Sequence, residues 1–158
     1  MQKITPFLWF DTEAEHAASF YVSLFPDSSI THVSRYPAGG PMPEGHAFVV
    51  DFVLDGVHYS AMNAGPQFSF TEAISLYVSA ETQDEIDRLW DALLADGGEP
   101  SRCGWLKDRW GLSWQVVPPV LGTLLQDPDP GRAARVMEAM MAMTKIDIAE
   151  LQAAYDRE

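Results

Sequence analysis

The residues best suited to chemistry crowd into one stretch late in the chain. Trp105, Trp110 and Trp114 stand close together, with Lys107 and Asp108 among them and Gln115 directly after. Indole faces stack flat or cationic molecules. A few placed polar groups in an apolar wall then fix a ligand's orientation. Gln115, Lys107, Asp108 and the more distant Asn63 are the candidates for that role. Lys107 and Asp108 are also the candidates for acid–base or electrostatic catalysis. The competing readings are plain: the tryptophans also suit apolar filling or a contact between copies, and Lys107 and Asp108 also suit an exposed turn.

Other reactive residues carry weaker signals. Cys103 lies in an expected strand beside Gly104 and Trp105, with Lys107 on the same face if the strand stays regular. No histidine partner for a lowered thiol pKa is identifiable, so a buried structural cysteine is expected. His16, His32, His46 and His58 are scattered. His46, His58, Glu44 and Asp51 match no metal-ligand spacing and read as ordinary surface or hairpin residues. Met137, Met140, Met141 and Met143 recur at helical spacing. That pattern reads as packing rather than a metal or promiscuous surface.

The totals narrow the function classes. The 158 residues carry 23 acidic against 10 basic side chains, a net charge of −13. Such a surface repels nucleic-acid backbones and anionic membrane surfaces, so neither is an expected partner. One cysteine permits no internal disulfide and no cysteine cluster. No run approaches a membrane span, and the start lacks the pattern of a secretory signal. A cytoplasmic location is the expectation.

The elements that must position these residues follow from the pattern. Residues 4–10 read as a strand. Thr12 and Glu15 form a capping box that opens a helix with Ala17, Phe20, Tyr21 and Leu24 inward. Residues 30–36 read as a strand and 37–45 as a loop. Strands over 46–54 and 57–63 flank Asp55-Gly56, a strong hairpin signal. A two-residue turn sets Phe52 opposite Tyr59, Val50 opposite Ala61 and Phe48 opposite Asn63. The order then repeats: a strand over 73–80, a Thr82–Glu85 capping box, and a helix with Ile86, Leu89, Trp90, Leu93 and Leu94. Strands over 100–106 and 112–117 complete it. Phe20 and Trp90 take the same place, as do Leu24 and Leu94, so the chain reads as an internal duplication. Beyond Pro118-Pro119, Asp129 and Asp147 cap helices of a C-terminal tail.

Several stretches together carry a resemblance: LWFDTEAEHAASFYVSLFPDSSI, MNAGPQFSFTEAISLYVSAETQDEID, CGWLKDRWGLSWQVVP and RVMEAMMAMTKIDIAELQAA. They resemble the PhnB-like branch of the glyoxalase/bleomycin-resistance (vicinal oxygen chelate) superfamily. Many members of that branch bear the label 3-demethylubiquinone-9 3-methyltransferase. The resemblance implies an α+β fold of paired βαβββ modules, here about residues 1–66 and 70–118. A helical extension over 119–158 would follow. It also implies a cup for a small ligand, usually completed in a homodimer. Metal-dependent members use His and Glu at four strand positions. These fall here near Pro6, near Tyr59, within 73–75 and at Gln115, four residues past the Asp108-Arg109-Trp110-Gly111 turn. None is His, Asp or Glu, so no metal and no cofactor is expected. The cup would instead bind through Tyr59, Asn63, Trp105, Trp110, Trp114 and Gln115. The expected function is metal-free binding of an unknown small molecule. The alternative is an enzyme of lyase, isomerase or transferase type in the same cup. Methyl transfer fits poorly: the glycine-rich turn of the usual S-adenosylmethionine fold is missing, and the strand order is not doubly wound.

Overall fold

The computed structural model describes residues 2–158. The chain divides into two compact units that meet between Ser69 and Phe70. The first unit runs β1 (Phe7–Phe10), α1 (Ala14–Leu24), β2 (Ser29–Arg35), β3 (Ala47–Leu54) and β4 (Val57–Asn63). Its sheet has the order β1-β4-β3-β2, with β1 parallel to β4 and the rest antiparallel. The second unit repeats this with β5 (Ser75–Ser79), α2 (Gln83–Leu94), β6 (Glu99–Pro100), β7 (Trp105–Lys107) and β8 (Ser113–Val117). Its order, β5-β8-β7-β6, is the same. Both units are therefore βαβββ modules, and the fold is α+β.

The hairpin forms as its turn residues require. Asp55 and Gly56 sit at φ 47° and 78°, both left-handed, the conformation of a two-residue turn that matches strand twist. The register sets Phe52 opposite Tyr59 and Val50 opposite Ala61, as expected.

The two helices start differently. Thr82 Oγ1 accepts from the Glu85 amide, so α2 has its expected cap. Helix α1 does not use Thr12: it begins one residue later, with Glu13 at the cap position and no cap from that side chain. The side chain of Asn63 on β4 takes the role, accepting from the Ala14 amide at 2.8 Å. The later start shifts the correspondence between the helices. Ala17, Tyr21 and Leu24 are buried in α1 where Ile86, Trp90 and Leu93 are buried in α2. Tyr21, rather than Phe20, thus holds the place of Trp90.

The expected strand over 100–106 is two short strands. Cys103 and Gly104 between them have φ of 58° and 83°, and consecutive left-handed residues break a strand. Cys103 is therefore on a turn, half-buried, with its Sγ 3.9 Å from Met141 Sδ.

The tail comprises α3 (Pro119–Leu125), α4 (Pro130–Met141) and α5 (Ile148–Asp156). Asp129 and Asp147 cap α4 and α5. Leu121, Leu124, Val136, Met143, Ile146 and Leu151 bury against Val117 as a small core. Met137 and Met141 stay exposed. The connector before α5 bonds to the turn between β6 and β7: the Cys103 and Gly104 amides donate to Met143 O and Thr144 O. Gln83 holds the same connector through Ile146 O and the Ile148 amide.

Candidate functional site

Strand alternation sorts the candidate residues by face. In the first unit, α1 packs on the sheet, and the Asn63–Ala14 bond marks the helix-covered face. Val50, Phe52 and Ala61 lie buried on it. Asn63 is itself buried, and its Nδ2 donates to Ala47 O at 3.0 Å. Both ends of its amide are thus spent on the fold. Tyr59 shares this face and stacks on Phe52, with centroids 5.6 Å apart. Burial raises its phenol pKa.

The opposite face of this sheet carries a row set by register: Phe7, Ser60, Asp51 and His32. Ser60 Oγ donates to Asp51 Oδ1 at 2.6 Å. Trp9 lies beyond them, its Nε1 donating to Gly65 O and its ring edge-on to Phe68 at 4.9 Å. The sequence pattern did not single out Ser60. The signal was available: it stands one residue past Tyr59, and one residue changes the face.

In the second unit, Leu106, Trp114 and Val116 are buried in strands on which α2 packs. Trp114 Nε1 donates to Asp108 Oδ2 at 2.9 Å. Asp108 Oδ1 accepts from the Trp110 and Leu112 amides. Its carboxylate therefore organises the turn through Gly111, at φ 86°, and is itself buried. Arg109 bonds Asp96 at 3.1 Å and lies 4.8 Å from the Trp110 ring centroid.

The other face of this sheet carries Tyr77, Gln115 and Trp105 side by side in register. Gln115 Nε2 donates to Ser75 Oγ at 2.9 Å. The next row is Ser75, Ser113, Lys107 and Glu99. Lys107 Nζ pairs with Glu72 at 2.6 Å. That contact raises the lysine pKa and lowers that of the glutamate. Sequence reasoning brought Trp105, Gln115 and Lys107 together, and the structure sets them on one face. It sets Trp114 on the other and Trp110 in the turn.

The model of the 3-demethylubiquinone-9 3-methyltransferase family matches residues 2–117. A Bacillus cereus PhnB protein with the same methyltransferase label is 40% identical over 74% of this chain and 99% of its own, with a TM-score of 0.69. The chain belongs to this family. A Pseudomonas aeruginosa protein shares the fold at 20% identity and a TM-score of 0.60, over 73% of this chain and 96% of its own. The fosfomycin resistance protein FosX of Listeria monocytogenes, solved with Mn(II) and sulfate, shares the fold at 14% identity and a TM-score of 0.51. That match covers 73% of this chain and 92% of FosX. The family match and the shared fold agree with the resemblance to the glyoxalase/bleomycin-resistance superfamily. No curated protein matches the chain.

The PhnB-like donor set can be tested for a metal. On the faces away from the helices, β1 and β4 hold Phe7 and Ser60 in register, and β5 and β8 hold Tyr77 and Gln115. The positions expected near Pro6 and near Tyr59 shift to Phe7 and Ser60, because Tyr59 shares the helix-covered face, and of the stretch 73–75 Ser75 shares the face of Gln115. Phenylalanine, serine, tyrosine and glutamine do not supply the imidazole and carboxylate donors that such a divalent site requires. Among the described residues, no three His, Cys, Asp or Glu gather to hold an ion. These residues do not fit the superfamily's metal.

Proposed function

We propose that this PhnB-like protein binds a small molecule without a metal, using the sheet faces turned away from the helices. One observation carries the reading: Trp105, Gln115 and Tyr77 lie side by side, two rings flanking one amide. Rings that grip a flat body around a group that orients it are what small-molecule sites are made of. In this reading Trp105 and Gln115 bind, Tyr77 joins them and Trp110 borders the site. Trp114 supports the site from the helix side, while Tyr59 and Asn63 hold the first unit's own sheet from its helix side. In this reading the protein acts as a homodimer, as the resemblance implies, and in the cytoplasm, which its single cysteine suits. No described helix is long and apolar enough to cross a membrane.

Native mass spectrometry with elemental analysis of the purified protein tests this. The expected result is a metal-free protein carrying a small molecule that Trp105→Ala or Gln115→Ala releases. A stoichiometric first-row metal overturns the reading.

A second reading, catalysis by lyase, isomerase or transferase chemistry, draws on the Ser60–Asp51 bond of the first sheet. A carboxylate held on a serine hydroxyl is a possible proton acceptor. Asp108 suits that role less, because three donors already occupy its carboxylate. Turnover lost in Asp51→Asn with the fold intact favours an enzyme. Methyl transfer in addition requires measurable affinity for S-adenosylmethionine.

A further inference from the structure

The row next to Gln115 holds an uneven set of hydrogen-bonding groups. Ser113 is 1% exposed, and its Oγ has no hydrogen-bond partner among the described residues. A buried hydroxyl without an acceptor is costly, and native folds rarely leave one unless something else completes it. Its register neighbours are Ser75 on one side and Lys107 on the other. Ser75 Oγ already accepts from Gln115, so its own hydrogen remains to be donated. Lys107 is donor-only. The row therefore has hydroxyl and ammonium donors to spare, and its carboxylates, Glu72 in contact with Lys107 and Glu99 opposite it in register, both lie at the Lys107 end.

Glu72 precedes β5, while Lys107 lies on β7, with β8 between those strands. Lys107 shares Ser113's face, so the ion pair bridges β8 across the Ser113 row. The Glu72 side chain is 63% exposed, so it can swing away at little cost. Glu99 also faces Lys107 by register. With a net charge of −13 around it, an anion is held here only if it displaces a carboxylate.

We propose that the Ser113–Lys107 row is the subsite for one oxyanion group of the ligand, a carboxylate or a phosphate-type head, and that Glu72 is its internal competitor. This rests on the binding reading above and names the ligand class: a flat body over Trp105 and Tyr77, with an anionic group reaching Lys107 Nζ and Ser113 Oγ. Charge-assisted bonds from a lysine and a buried hydroxyl suit such a head.

The test uses benzoate, its neutral counterpart benzamide, and inorganic phosphate on the full chain, following the Ser113 and Gln115 amide signals by NMR. Benzoate or phosphate should shift both signals; phosphate alone identifies a phosphate-type head and benzoate alone a carboxylate. Glu72→Gln should tighten the probe by about threefold or more, because it removes the competing charge. Ser113→Ala and Lys107→Met should each weaken it by roughly tenfold. Ser113→Ala decides the case if Lys107→Met fails to fold, and a urea midpoint confirms folding. Affinity unchanged or weakened in Glu72→Gln overturns the proposal. So does the absence of any shift at about 20 mM, the weak end of measurable binding. Benzamide binding as well as benzoate overturns the anionic subsite and leaves the binding reading standing.

Discussion

At the scale of single residues, two of the sequence's polar candidates prove to be parts of the scaffold. The Asn63 amide caps α1 and ties β3, so one side chain joins three elements. Its removal strands the Ala14 amide and the Ala47 carbonyl away from water. Each buried unpaired group costs about 1–3 kcal/mol. Asn63→Ala should therefore lose about 3 kcal/mol in a urea melt, far more than an exposed cap. Asp108 is a similar case. Asparagine in its place offers one oxygen for three donors and sets an NH2 group against another donor. Asp108→Asn should cost about 2 kcal/mol, and Trp114, which donates to that carboxylate, reports it by a shifted emission. A catalytic Asp108 would instead lose turnover with stability unchanged.

At the scale of elements, the decisive feature is how the tail attaches. Gly104 has φ 83°, and a Cβ there would stand 2.8 Å from Val116 O and 3.1 Å from Ile146 Cγ1. Alanine is strained in that conformation and meets backbone that cannot yield. Gly104→Ala should cost about 2–4 kcal/mol and speed hydrogen exchange at the Cys103 and Gly104 amides that bond the connector. Ordinary exchange in that variant would show that the tail is held elsewhere. The same region shows where sequence reading stops. The hairpin, the α2 cap, the tail caps and the repeated βαβββ order were legible, because turn and cap chemistry is local. The break at Cys103 was not: its left-handed backbone is imposed by bonds to residues forty positions on. The faces of Tyr59 and Asn63 were misplaced for a related reason. A family pattern fixes a strand position only to within a residue or so, and in a strand one residue reverses the side. Gln115 lies in register with Trp105 and Tyr77, four residues past the Gly111 turn that fixes its distance. Tyr77, Ser113 and the Lys107–Glu72 pair depend on which strands become neighbours, which no local pattern states.

At the scale of the whole molecule, charge governs. The net charge is −13, and self-repulsion of that size destabilises the compact state. The ion pairs oppose this, but they are mostly exposed, and exposed pairs contribute about 0–1 kcal/mol each. Repulsion should win. Added salt screens both effects, so the thermal midpoint at pH 7 should rise as NaCl increases; a fall would mean that the pairs dominate. Acid adds a second, opposite effect. Glu72, Asp87 and Asp127 have lowered pKa values, held down chiefly by hydrogen bonds from Lys107, from Lys145 and from the Asp129 amide respectively. A lowered folded pKa contributes stability that is present above the unfolded value, here 4.5 for Glu72 and 3.8 for the aspartates, and is lost as pH falls through the folded one. Lys107 and Lys145 have raised values, so their share is present below 10.5 and disappears only in strong alkali. Between neutrality and about pH 5, protons mainly relieve repulsion; below about pH 4 they dissolve these contacts. Stability should therefore peak on the acid side of neutral and fall steeply below that peak. Glu72→Gln should flatten the acid limb, because it removes one of the groups whose protonation drives it.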